Sequence, residues 1–337
     1  MRGKAELILL TVAVLGVGAT NLHADDVVRR VKKAVAESTL DQPGTKPFHL
    51  KAVLAPSRER DNASGRSGTI EYWWKSPTEW RREVVCPGFH QIQVVNGDHI
   101  WQKNDGDYFP EWLRETAVAL VDPIPNLPEV MKEMDTGEVK DMMGSTYIQW
   151  MIPSSNGQTP SWIGATVALN DGSGLLFYGG GFGWGAEYKD YRKFHGRMVG
   201  QIVSAGSPEV TAKVQTLEDL NETPGLFDAV AQGGDTHLLK TVLIGEAALR
   251  QNLQSIDNVN WPAVKDGPLE GAITANITVD RAGKVREVGP VVATNQALSD
   301  VARRQIEAMQ FKPFLLNGEP VQVVSRVTLS YKTFRVQ

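Results

Sequence analysis

Six histidines, one cysteine and a run of glycines are the residues of this 337-residue sequence whose chemistry would announce an active site. His49, His90, His99, His195 and His237 form no HxxxH pattern beside a carboxylate, and His23 lies in the leading segment, so no metal site is expected. His90 and His99 fall on adjacent predicted strands and can meet across their hairpin. Ser38, Ser57, Ser67 and Ser204 lie in no GxSxG elbow and have no recognisable base partner, which leaves acyl transfer unsupported. Cys86, between Val84-Val85 and Pro87-Gly88, reads as a small buried side chain at a strand end. The run GGGFGWG, Gly179 to Gly185, is followed by a strand pattern and not by the helix a phosphate loop needs, so it reads as a wide hairpin whose Phe182 and Trp184 could touch a membrane or partner. No catalytic residue, metal or cofactor is expected, and the chain is read as non-enzymatic. A hydrolase stays open as an alternative, because catalytic groups can converge without a sequence signature.

Binding chemistry is better represented. Trp73, Trp74, Trp80, Trp101 and Trp112 fall close together, and Trp73 and Trp74, being neighbours on one strand, must point to opposite faces. Pockets are lined mostly by aromatic and apolar side chains. Ile70, Tyr72, Trp74, Trp80, Val94, Trp101, Trp112 and Trp150 are therefore the candidate lining of a ligand cavity, the alternative being that the tryptophans pack at sheet edges or under loops.

The elements that must position these residues are short strands. PFHLKAVLA, SGTIEYWWK, TEWRREVVC, FHQIQVVNG and HIWQKN follow one another through the turn segments SRERDNASG, SPT, PG and GD. Strands so closely spaced must run antiparallel, since parallel ones need long crossovers. A helix is expected from Asp25 to Leu40, and EWLRETAVALVDPIPNLPEVMKEM is a helical insertion. TYIQWMIP, WIGATVALN, SGLLFYGG, AEYKDYRKF and MVGQIVSAG are further strands. In layout, SGTIEYWWKSPTEWRREVV, VVNGDHIWQKN, YKDYRKFHGRMVGQIVSA and ETPGLFDAV resemble the LolA/LolB lipoprotein-carrier superfamily over residues 25–230. The resemblance implies a curved half-barrel sheet with a helical lid, enclosing an apolar cavity for acyl chains.

GAITANITVD alternates cleanly, Arg281-Ala282-Gly283 supplies a hairpin loop, and KVREVGPVV resumes as a strand. Leu298, Val301, Ala302, Ile306 and Met309 then recur at helical spacing, with Thr294 or Asn295 as cap and Pro313 as stop. Asn317-Gly318 turns the chain into a last strand with Val321, Val323, Ser325, Val327, Leu329 and Tyr331 on one face. With Phe311-Lys312-Pro313, Asn317-Gly318, Pro320-Val321 and Asn260-Trp261-Pro262, residues 240–337 resemble the carboxy-terminal domain of TonB-family proteins. That resemblance implies a small ββαβ sheet whose last strand is an exposed edge for a partner segment. Gln322, Val324, Arg326, Thr328, Ser330 and Lys332 are the partner-binding candidates, by strand addition. Pairing of this strand within the fold or in a homodimer is the alternative.

The leader MRGKAELILLTVAVLGVGATNLHADD has a charged start and an apolar stretch too short to span a bilayer comfortably, the pattern of a signal peptide cleaved after Ala24. A retained anchor is the alternative. Export with a single cysteine excludes an internal disulfide. A net charge of −4 without a basic stripe disfavours nucleic acid. The 18 prolines are scattered and form no spacer of the kind a TonB transducer needs.

The expectation is an α+β, periplasmic binding protein: signal peptide 1–24, lipid-binding domain 25–230, connector 231–262 and docking domain 263–337. Its expected partners are a lipid or lipoprotein acyl chain and an envelope protein, with peripheral or transient membrane contact. A diverged TonB-type transducer is the other alternative.

Overall fold

A computed structural model describes residues 24–57, 66–124, 137–142, 145–152, 162–181, 184–206, 210–228, 238–255 and 259–336. The leader before Ala24 and Phe182 of the glycine run lie outside the described residues. Among the described residues no helix is long and apolar enough to cross a membrane.

The chain is mostly antiparallel sheet with few helices. After helix α1 (Ala24–Ser38) come β1 (Phe48–Pro56), β2 (Gly68–Ser76), β3 (Glu79–Cys86), β4 (Phe89–Asn96) and β5 (His99–Asp105), then helix α2 (Glu111–Ala119). Seven strands follow: β6 (Gly137–Met142), β7 (Ser145–Ile152), β8 (Trp162–Asn170), β9 (Leu176–Gly181), β10 (Trp184–Phe194), β11 (Arg197–Ala205) and β12 (Val210–Asp219). They form one twelve-stranded sheet in the order β5-β4-β3-β2-β1-β12-β11-β10-β9-β8-β7-β6. Every junction is a hairpin neighbour except β1 with β12, where Phe48 pairs with Asp219 and Pro56 with Val210. The turns are set by backbone conformation. Gly88 and Gly97 have φ of 79° and 62°, where a side chain would be strained.

Alternation along β1 buries Phe48, Leu50, Ala52 and Leu54 on one face. With Ile70, Tyr72, Trp74, Leu113, Val203 and Ala212 they form a first core, which α1 and α2 complete. Nearly every residue of α2 is buried, as expected for a helix enclosed on several sides.

A second sheet has its own core of Ile273, Val279, Leu298, Ile306, Phe311, Val323 and Leu329. It contains β13 (Thr241–Leu243), β15 (Glu270–Val279), β16 (Val285–Val288) and β20 (Glu319–Lys332), in the order β13-β20-β15-β16. Helix α3 (Glu246–Gln251) and β14 (Leu253–Ser255) precede β15; β17 (Val292–Ala293), helix α4 (Ser299–Glu307), β18 (Gln310–Phe311) and β19 (Phe314–Leu316) lie between β16 and β20. The strand, strand, helix, strand order read from the sequence is present. Asn295 accepts the Ala297 N–H at the helix start, and Asn317 and Gly318 turn with φ of 54° and 86°. Residues 241–255, expected as connector, are instead built into this sheet and its flanks, because β13 adds in parallel to β20, Thr241 to Gln322 and Leu243 to Val324.

The last strand is therefore not an open edge along its first half. In this six-stranded sheet it is flanked by β19 over Glu319–Val321, by β13 over Gln322–Val324 and by β15 from Val323 to Lys332. Beyond Val324 its outer side is bordered by α3. Glu246 accepts the Thr328 N–H at 2.9 Å and the Thr328 hydroxyl at 2.9 Å, while Arg250 donates to the Thr328 carbonyl.

Candidate functional site

Parity along the strands decides which candidate residues share a face. Phe48 pairs with Trp74, Leu50 with Tyr72 and Ala52 with Ile70; Trp74 pairs with Trp80, and Trp80 with Val95. Ile70, Tyr72, Trp74 and Trp80 thus lie together on the core-facing side, and Trp112 of α2 joins the same core. Val94 and Trp101 do not. Arg81 pairs with Val94 and Val94 with Trp101, which puts both on the opposite face beside Trp73. There Trp73 stacks on His49 at 5.3 Å between ring centres, with the Arg81 guanidinium 5.3 Å from the Trp73 ring. Trp150 holds its β7 position opposite Ala165.

On the core-facing side Trp74 stacks on Phe48 at 5.4 Å. A cavity of about 230 Å³ lies here, walled by Tyr72, Trp74, Trp80, Arg82, Val118 and Asp122, with Asp41 also at its edge. The helix is tied over the face by the Tyr72 hydroxyl, which donates to the Ala117 carbonyl at 2.7 Å, and by the Tyr188 hydroxyl to Ala119 at 3.3 Å. Burial, with Asp41 beside it, pushes the Asp122 carboxyl up to about 6. Further across the sheet the same face turns polar. Arg82 donates to Gln91 at 2.9 Å and to Gln93 at 2.8 Å, and Gln91 donates to Asn104 at 2.8 Å. Gln102 accepts the Leu239 N–H at 2.7 Å. This buried amide ladder is absent from the sequence reading, because Gln on a strand pattern normally marks the solvent side.

A second cavity, about 420 Å³, opens where the two sheets meet. Its walls come from α2 (Glu111, Glu115), from β9 to β11 (Tyr178, Glu187, Ser204) and from the second sheet (Ile277, Thr278, Glu287, Val324). Residues 107–111 form the seam. Gln322 is fully buried; it accepts the Phe109 N–H at 2.9 Å and donates to the Phe109 carbonyl at 2.8 Å, as a neighbouring strand would. Glu287 accepts the Tyr108 hydroxyl and the Glu111 N–H at 3.0 Å, and Arg286 bonds Asp107 at 2.8 Å. Gln322, expected on a free edge, thus joins the two units within one chain. Glu115 is 8% exposed, and burial, reinforced by the Glu111 and Glu287 carboxylates, holds it well above the usual carboxylate range.

The catalytic alternatives find no arrangement among the described residues. His49 meets Glu71 and Glu218, His90 meets Glu83 and Asp105, and His195 meets Asp219, so each of these imidazoles faces carboxylates and no hydroxyl or thiol. His90 and His99 stand at opposite ends of their hairpin, opposite Asp105 and Asn96, and cannot meet. Cys86 is buried, which raises its thiol to about 11 and keeps it protonated. No group of three metal-ligating side chains occurs among the described residues. The glycine run is a hairpin, with Gly181 pairing Trp184. Gly180 and Gly185 leave room for the Tyr178 ring: a Cβ at either would lie 2.2 Å and 2.7 Å from its hydroxyl.

No family model matches this chain, and no curated protein matches it. Among solved structures it is similar to a LolA superfamily protein from Nitrosomonas europaea, at 6% identity and a TM-score of 0.37, over 58% of this chain and 96% of that one. It is also similar to a DUF1329 family protein from Desulfovibrio piger, at 10% identity and a TM-score of 0.36, over 62% of this chain and 97% of that one.

Proposed function

We propose that this chain is an exported, periplasmic, non-catalytic binding protein that carries a hydrophobic ligand, the acyl chain of a lipid or lipoprotein, against the concave face of its large sheet. The observation that supports this is the cavity between Tyr72, Trp74 and Trp80 and the end of α2: aromatic walls beside the core, with Asp41, Arg82 and Asp122 at its edge. At about 230 Å³ it is smaller than a site for a whole lipid. Loading therefore requires α2 and the residues after it to lift from the sheet, breaking the Tyr72 and Tyr188 hydrogen bonds. The second unit has two roles in this reading. It clamps the entry of α2 through Gln322 and Glu287, and it docks an envelope protein along the outer side of β20. A partner strand there would extend the line of β13 and take over Thr328 from Glu246 and Arg250.

Native mass spectrometry without detergent, on protein purified from the export compartment, tests the carrier role. A retained mass that extraction identifies as lipid or lipopeptide, and that is lost in Trp74→Ala, is the expected result. A bare protein mass, with delipidated protein also refusing added lipid, refutes it.

A further inference from the structure

The second cavity carries an inference independent of lipid carriage. Three carboxylates meet at its α2 side. Two have partners: Glu111 pairs with Arg114, whose Nε lies 2.8 Å from Oε2, and Glu287 takes the Tyr108 hydroxyl and the Glu111 N–H. Glu115 is the third. It is 8% exposed, lines the cavity, and makes no hydrogen bond or ion pair among the described residues. Thr278, only 2% exposed, and the half-buried Tyr178 line the same space, and neither side-chain hydroxyl is hydrogen-bonded among the described residues.

Buried polar groups are paired in folded proteins, and a buried carboxyl without a partner keeps its proton until a cation stabilises its charge. Glu115, with the Tyr178 and Thr278 hydroxyls lining the same space of about 420 Å³, is the complement of something with several donors and a positive charge. The nearest cation, Arg114, is committed to Glu111. An anion is disfavoured by Glu111, Glu115, Glu187 and Glu287 around the same space. The remaining wall is mixed: Ala186, Ala205 and Val324, each at most 2% exposed, stand beside Ser204 and Asn276.

We propose that this cavity binds a small primary amine, its ammonium donating to the Glu115 carboxylate and to the Tyr178 and Thr278 hydroxyls while Val324 and Ala205 pack its alkyl stem. The site exists only when the two units are joined, since α2, β9 to β11 and the second sheet each supply walls. An ammonium offers three donors to three acceptors, and its charge offsets the carboxylates that face one another here.

Isothermal titration of the purified protein with n-pentylamine, with pentan-1-ol as the neutral match, tests this. The amine binds and the alcohol binds about tenfold more weakly or not at all, the difference a charged hydrogen bond makes. Glu115→Gln keeps the shape, folds with an unchanged or higher melting temperature, and weakens the amine about tenfold or more. Tyr178→Phe weakens it less. Equal binding of amine and alcohol overturns the proposal, as does unchanged amine affinity in Glu115→Gln, or no amine binding at millimolar concentration. Detergent-free mass spectrometry of lipid retention is read separately, so loss of the carrier role and loss of this site are distinguishable.

Discussion

The two cavities lie against opposite ends of the same helix and differ in what builds them. The aromatic one belongs to a single sheet: Tyr72, Trp74 and Trp80 are set by the register of β2 and β3, and α2 only closes it. The carboxylate-rich one has no owner. Its walls are brought together by the seam at residues 107–111, where Gln322 substitutes for a strand. A site within one element survives as long as that element folds, whereas a shared site answers to the joint between units, whose opening requires less free energy than global unfolding.

Four substitutions separate these behaviours, in falling order of effect. Trp74→Ala removes a side chain that is 2% exposed and stacked on Phe48, so a loss of about 3–5 kcal/mol is expected in urea unfolding, together with loss of any apolar ligand. A loss below about 1 kcal/mol would mean that the core-facing side is less tightly packed than its burial implies. Gln322→Ala leaves the Phe109 N–H and carbonyl without their partner, at about 1–3 kcal/mol. Hydrogen exchange at Phe109 and Glu111 should rise while the amides of β2 and β3 stay protected. Uniform acceleration across the large sheet would instead make the two cavities one cooperative unit.

The third test is pH. The folded Asp122 carboxyl, raised to about 6, binds protons more tightly than in the unfolded chain. Its contribution to stability is full below the unfolded value of about 4 and is lost as pH rises through about 6. Asp122→Asn should flatten that fall, by on the order of 2 kcal/mol. A pH profile of melting temperature that the substitution leaves unchanged would move the titration elsewhere. Trp101→Ala is the mildest, below about 1 kcal/mol and without effect on ligand retention, because Trp101 is half-buried on the face opposite the core. Ligand loss in this variant equal to that in Trp74→Ala would reverse the assignment of faces.

Within a strand the candidate site was legible, because period-two alternation alone separates Ile70, Tyr72 and Trp74 from Trp73. Across hairpins it was not. Trp80 faces Val95 and not Val94, and that single step of register moves Val94 and Trp101 to the far side. The final strand shows the same division: the buried face from Val321 to Tyr331 follows from the pattern, but occupation of its outer side by Thr241–Leu243 does not, since three residues carry no strand signal. β12 was missed because its alternation, from Val210 to Leu217, is broken where its pairing with β1 slips at Lys51 and Ala52. The shared cavity was illegible altogether, since its walls run from Glu111 to Val324 and become neighbours only through the seam.

The β1 to β12 junction bears on biogenesis. Ten of the eleven pairings in the large sheet close over short hairpins or the local segments joining them, but β1 must wait for a strand that begins at Val210. At roughly 5–20 residues per second of synthesis, the intervening chain takes roughly 10–30 s to emerge, and a strand left half-paired so long is a template for wrong association. A nascent chain stopped before Val210 should therefore depend on holding factors, and one extended past Asp219 should be released from them.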